Sequence, residues 1–193
     1  MPVTVKVKGD LSKLKALASK IPTAARVKIG IIDNPEVATY AAYNEYGWVQ
    51  RVTHRQSGFL RNNFKVDVMP GMTLMSPPRP FLRATAKAKS EEWTKTFAEG
   101  VQALGIERAN KVLELVGRQA QVDVQETIKN NGTGGERFPE RSDLTMAIYA
   151  AKDAKTEKGR KRKISGTSGS GRTQALVRSG VLLGSIGYEV ENG

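Results

Sequence analysis

The sequence predicts an α+β fold: a small mixed or antiparallel sheet packed with two long helices, in a single domain spanning residues 1–193, plus a flexible basic arm or loop at 152–172 within it. Three observations predict it. Apolar and polar residues alternate at Val3-Val5-Val7, at Val27-Ile29-Ile31 and at Ile186-Tyr188-Val190, the two-residue period of half-buried strands. Between these, Phe81 to Phe97 and Ile106 to Ile128 keep apolar residues at spacings of three and four, the helical period. Strands towards both ends with helices between them fit an α+β layout better than an alternating one. Finally, Lys152 to Arg172 holds eight basic and two acidic residues among glycines and serines, so it has almost nothing to bury.

The elements follow in order. Val3 to Val7 reads as a strand, Gly9-Asp10 as a turn and helix cap, and Leu11, Leu14, Leu17 and Ala18 as one face of a helix ending near Pro22. Val27 to Ile31 is a second strand. Asn34-Pro35-Glu36 has the order of a helix start: a capping side chain, a proline in the first turn, an acid at the positive end. Gly47 is its stop. From Trp48 to Met75 the pattern loosens; Arg51 to Arg61 reads as loop, and Phe64-Val66-Val68 alternate as a strand would. Pro77-Pro78-Arg79-Pro80 is stiff and extended, because each proline fixes φ and restricts its predecessor. A helix carrying Phe81, Leu82, Thr85, Ala86, Lys89, Trp93 and Phe97 on one side follows, with a break near Gly100–Gly105. The longest helix runs from about Ile106 to Asn130, weakened at Gly117 by ~1 kcal/mol relative to alanine. Thr133 to Glu140 is a glycine-rich loop and Leu144 to Ala151 a short helix.

Composition excludes several chemistries. The chain has no cysteine and one histidine, His54, which removes disulfides, thiolate sites, cysteine nucleophiles and paired-histidine zinc sites. No apolar run approaches the ~18 residues of a membrane span, and Met1 to Asp10 lacks the apolar stretch of a leader. The expectation is a soluble protein made in a cytoplasm. Basic residues number 31 against 19 acidic ones, a formal charge of +12. The 152–172 stretch reads either as a solvated linker or as a contact with an acidic surface or DNA phosphates, through Lys158, Arg160, Lys161, Arg162, Lys163 and Arg172.

Catalytic constellations are missing. Gly166 to Thr173 has the spacing of a phosphate loop, but Arg172 stands where that loop needs lysine, and Lys161-Arg162-Lys163-Ile164 before it is no buried strand. Glu91 and Glu92 are adjacent and diverge on a helix; Asp33, Glu36 and Glu45 flank one helix without grouping as a metal site. His54 sits among Arg51, Arg55 and Gln56 with no orienting partner, and Ser179 and Ser185 have no base. The reading is a protein without enzymatic activity, cofactor or metal. Tyr40, Tyr43, Tyr46 and Trp48 cluster near a helix end beside Arg51 and Arg55, a composition used for stacking on single strands. The favoured alternative places Tyr40 in the core and makes Tyr43, Tyr46, Trp48 and Arg51 a candidate subunit interface.

Three segments, in order, carry a resemblance. They are Tyr40-Ala41-Ala42-Tyr43-Asn44-Glu45-Tyr46-Gly47, then Pro78-Arg79-Pro80-Phe81-Leu82-Arg83 before a helix containing Trp93, then Leu176 to Ile186 leading into a strand. Together the sequence resembles the neck and tail-completion proteins of tailed bacteriophages, the HK97 gp10-like group of virion morphogenesis proteins. The likeness covers islands between residues 27 and 190. Arg178 is basic where such proteins often carry an acidic or small residue, and 49–75 and the basic arm look like insertions.

The resemblance implies a structural virion protein at the neck or tail junction, joining tail to head as a sixfold ring around the DNA channel. The implied partners are copies of itself, the head–tail connector, stopper or portal-side proteins, and tail tube or terminator proteins. Non-specific DNA contact in the channel is compatible with it, and a membrane is not involved. A tail terminator capping the tube, or a basic DNA-binding accessory protein, are the alternatives.

Overall fold

The computed structural model describes residues 26–157, Leu176 and residues 180–191. The strand read at Val3 to Val7, the helix at Leu11 to Ala18 and the basic residues of 158–172 lie outside the described residues. The first strand, β1 (Arg26–Ile31), pairs antiparallel with the last, β6 (Ile186–Glu191), from Arg26 opposite Glu191 to Ile31 opposite Ile186. Between them run α1 (Pro35–Tyr46), β2 (Trp48–Arg51), α2 (His54–Phe64), β3 (Thr73–Ser76), α3 (Phe81–Leu104), a 3-10 turn (Ile106–Arg108), α4 (Ala109–Lys129), β4 (Gly132–Thr133), β5 (Glu136–Arg137), α5 (Asp143–Glu157) and α6 (Val181–Gly184). The fold is α+β, its strands paired in small antiparallel sheets.

Two long helices form the frame. α3 and α4 turn back on one another through Gly105 and pack along their length. The buried arc of α4 repeats at Ala109, Val112, Val116, Ala120, Val124 and Ile128, the stripe that the sequence period predicts. α4 also covers the β1–β6 ribbon. The main core gathers Ala41, Phe81, Val124, Ile128, Phe138, Leu176, Leu182 and Ile186. Phe81 is wholly buried at the first position of α3, where burial of such a side chain contributes about 1.5–3 kcal/mol.

Most polar groups inside this frame are paired, the buried Oδ1 atoms of Asn110 and Asn131 excepted. The hydroxyls of Thr85 and Thr127 meet at 2.7 Å and link α3 to α4. The Trp93 indole N–H donates to the buried Asp123 carboxylate at 2.6 Å, and Gln119 donates to its other oxygen. Gly117, which weakens an isolated helix, is required here by packing: a Cβ would stand 2.4 Å from Cδ2 of Tyr188 on β6. The glycine lets helix and strand approach.

Residues 48–76 depart from the sequence reading. Arg51 to Arg61 is a short strand end and a helix, because Thr53 and Gln56 form a reciprocal capping box that starts α2. Phe64-Val66-Val68 is not a strand; Phe64 closes α2 and Lys65 turns the chain in a left-handed conformation. The segment folds back so that β2 and β3 pair antiparallel, Trp48 opposite Ser76 and Val49 opposite Met75. Its buried apolar residues are Val52 and Val68, and neither belongs to the main core. The glycine-rich loop contains the small β4–β5 pair. α5 is longer than expected and continues through residues 152–157, so the arm read as starting at Lys152 begins as helix. Lys152 lies over the Phe64 ring and ties α5 to α2.

Candidate functional site

Two places in this fold concentrate unusual groups: a polar junction at the start of α3, and the exposed surface leading from α1 onto the 48–76 arm.

The junction arises from a missing cap. Pro80 occupies the N-cap position of α3 and has no side-chain acceptor for the first N–H groups. Glu45 of α1 supplies it. Its carboxylate accepts from the Leu82 and Arg83 backbone N–H groups, both at 3.0 Å, and from the Arg83 guanidinium at 3.0 Å. Arg83 also donates to the Glu45 carbonyl at 2.8 Å and stacks over the Tyr46 ring at 4.6 Å. One residue earlier, the Asn44 carbonyl accepts from Arg79 N–H at 2.7 Å. The buried Arg79 guanidinium donates to the carbonyls of Pro139 and Glu140 at 2.8 and 2.7 Å and to the Ser76 hydroxyl at 3.1 Å. Burial pushes its pKa below the ordinary arginine value. Gly47 completes the crossing: with φ +73 it runs so close to β3 that a Cβ would lie 2.6 Å from the Ser76 carbonyl oxygen.

The segments that carry the sequence resemblance meet here. Ala41 from the first, Phe81 from the second, and Leu176, Leu182 and Ile186 from the third share one core cluster. Gly180 takes a left-handed φ of 68 to start α6, and the Ser185 hydroxyl donates to the Val181 carbonyl at 2.8 Å.

The surface beside the junction is apolar and open. Tyr43, Tyr46 and Trp48 are exposed, as is Arg51, so the candidate interface residues face solvent in the single chain. Tyr40 is exposed as well, which corrects its placement in the core; the inward face of α1 is held by Ala41, Asn44 and Glu45 instead. Trp48 and Arg51 lie an odd number of residues apart on β2 and point to opposite faces. Arg51 shares its face with Val49 and with Met75 across the ribbon, which are 70% and 67% exposed. Phe59, Met69 and Met72 extend the apolar exposure along the arm.

No catalytic arrangement accompanies this surface among the described residues. Among the described residues there is no group of three or more His, Asp or Glu side chains able to hold a metal. His54 opens α2 and is exposed. A groove of about 300 Å³ between β1, α3 and α4 is lined by Ile29, Leu82, Arg83, Ala86, Trp93 and Val124, without a nucleophile or base. No helix among the described residues is long and apolar enough to cross a membrane. The basic candidates Lys158, Arg160, Lys161, Arg162, Lys163 and Arg172 lie outside the described residues.

The sequence did not mark Glu45, Arg79 or the arm methionines as special. Glu45 was readable only as one acid near a helix end, since its partners lie 37 and 38 residues further on. Comparison of the chain with protein-family models, with curated proteins and with solved structures finds no match.

Proposed function

We propose that this chain is a structural subunit of a tailed-bacteriophage virion, a neck or tail-completion component that assembles with its own copies as a ring around the DNA channel and joins tail to head. The observation that carries the reading is the convergence of the resembling segments. Residues separated by up to 145 positions, Ala41 and Ile186, lie in one cluster, and Glu45 ties the first segment to the second.

The exposed arm supports the self-association part of the reading. A two-stranded ribbon is marginal alone in water. β2 is exposed along its whole length, and Val49 on it pairs with the exposed Met75 of β3 on one face of the ribbon. Large apolar side chains gathered on an otherwise charged surface mark a contact with another protein. Ring closure multiplies such contacts through effective concentration.

Native mass spectrometry of the purified full chain, with protein analysis of intact particles from the source phage, tests the proposal. A closed oligomer and a stoichiometric band in particles are expected. A strict monomer absent from particles would overturn it.

A further inference from the structure

α3 and α4 lie side by side, but the ribbon above them covers one helix and leaves the other partly bare. α4 packs against both β1 and β6, while α3 packs against α4. Between β1, α3 and α4 runs the groove of about 300 Å³ lined by Ile29, Leu82, Ala86, Trp93 and Val124. No residue of β6 lines it, so it lies on the side of β1 away from β6. Its α3 wall is a single stripe, in which Leu82, Ala86, Lys89 and Trp93 recur at spacings of four, three and four. Ala86 is exposed and the other three are half-buried. The groove is continuous with the main core: Val124 belongs to that cluster, and Ile29 and Leu82 pack against it.

The edge of β1 beside the groove is equally unfinished. Among the described residues β1 pairs with β6 alone. Along its other edge, alternate backbone N–H and C=O groups have no strand to bond. Strands stand about 4.8 Å apart, so a third strand on this edge would lie about 7 Å from the midline of the ribbon. Packed helix axes stand about 8–10 Å apart, which puts α3 beneath that position. A strand placed there would bond β1 and roof the groove at once.

We propose that the groove and the free edge of β1 are the docking site of the chain's own segment 3–7, which lies outside the described residues. Val3, Val5 and Val7 stand at every second position, with Thr4 and Lys6 between them and Lys8 after. On a strand beside β1 that period sends the valines to the groove and the threonine and lysines to solvent. Valine suits such a half-buried pleated face. Three valines at this spacing span about 13 Å. The α3 wall from Leu82 to Trp93 is about 16 Å long, so the segment matches it. Residues 8–25, eighteen of them, separate the segment from β1. A crossover to a parallel neighbour needs about a dozen or more, so the chain can reach its own edge. A tether this short holds the segment at an effective concentration in the millimolar range, which favours it over the same segment of another copy. The assignment holds whether or not the chain joins tails to heads, because it concerns one chain alone.

The chain has no cysteine, so thiols can be placed at will. Full-length Val5→Cys/Ala86→Cys is treated with a short bismaleimide, beside Lys6→Cys/Ala86→Cys, whose new thiol faces away from the groove. Both are checked for an unchanged melting profile. The Val5 pair is expected to cross-link within one chain at least about tenfold faster than the Lys6 pair, at protein concentrations well below millimolar. Equal rates in the two variants, or no cross-link in either, would overturn the assignment. Mixing heavy-isotope and unlabelled chains separates the sources: cross-links that join the two isotopes would give the groove to a second copy and overturn it. Faster cross-linking between chains in Met75→Cys/Ala86→Cys would overturn it too, in favour of a neighbouring copy's arm. Hydrogen exchange supplies a readout without thiols. Val5→Asp is expected to speed exchange of the β1 amides at least about tenfold while α4 keeps its protection, and Lys6→Asp to leave both unchanged. β1 amides indifferent to Val5→Asp would refute the docking site.

Discussion

Glu45 and Arg83 hold each other from both ends: the Glu45 carboxylate receives the Arg83 backbone and guanidinium N–H groups, while the Glu45 carbonyl receives a second guanidinium N–H. The carboxylate is buried and the guanidinium is about half exposed. The pair therefore works less as an ion pair than as a remote cap, replacing the acceptor that Pro80 cannot supply. Glu45→Ala is expected to destabilise the fold by about 1–3 kcal/mol, since it leaves two partly buried N–H groups without their acceptor. Glu45→Gln keeps an acceptor and should cost about half of that. Arg83→Ala, which leaves the backbone donors satisfied, should cost about 1 kcal/mol or less. Urea unfolding of the three variants checks the order; an Arg83 effect equal to that of Glu45→Ala would show that the ion pair, and not the cap, matters.

Helix propensity and packing make opposite predictions at Gly117. On propensity alone Gly117→Ala should stabilise α4 by about 1 kcal/mol. Its Cβ would stand 2.4 Å from the Tyr188 ring, so either the strand or the ring must move. Overpacking of this kind costs about 1–3 kcal/mol, and net destabilisation is expected. The double variant Gly117→Ala/Tyr188→Ala should be less destabilised than the sum of its singles, a coupling that a thermodynamic cycle measures directly.

The β1–β6 ribbon carries a pH-dependent contact at its end. Lys28 donates to Glu191, and this bond, with the charges of Lys28 and Arg26, holds the Glu191 carboxyl below the usual carboxylate range. A carboxyl depressed in the folded state adds stability that is present above its unfolded pKa and is lost as pH falls through the folded one. The ribbon should therefore loosen at pH values within and below the ordinary carboxylate range. The site is open to solvent, so the effect should be small and screened by salt. Hydrogen exchange of the β6 amides against pH is the measurement. Glu191→Gln should flatten the profile, and an unchanged profile would rule the contact out.

What the sequence made legible was the periodic part. α3, α4, β1 and β6 were readable because each buries one continuous stripe or alternate face, and burial writes itself into spacing. α1 was readable from Asn34, whose side chain accepts from Val37 N–H as a cap should. The arm was not, because α2 buries only Ser57 and has no apolar stripe to announce it; its start is written in the Thr53–Gln56 box alone. The junction was invisible for a different reason. Arg79 finds its acceptors 60 and 61 residues away, at carbonyls that carry no sequence signal. Tyr40 misled because an aromatic on a helix looks like core, while the small Ala41 beside it takes the inward position.

The arm yields the prediction closest to assembly. Val49 and Met75 face each other across β2 and β3 and both stand mostly clear of the chain. A charge placed there removes nothing from the folded interior, so Val49→Asp/Met75→Asp should leave monomer stability within about 0.5 kcal/mol of the unaltered chain, the range of ordinary surface changes. If copies associate through this face, the same charges must be desolvated in every contact, each at a cost of several kcal/mol. Sedimentation velocity should then show the oligomer replaced by monomer across the concentrations at which the unaltered protein assembles. Phe59→Asp, further along the arm on α2, should weaken assembly in the same direction. Assembly unchanged in the double variant would remove the arm from the interface. The contact would then pass to the face of α1 bearing Tyr43 and Tyr46, where Tyr43→Asp tests it by the same readout.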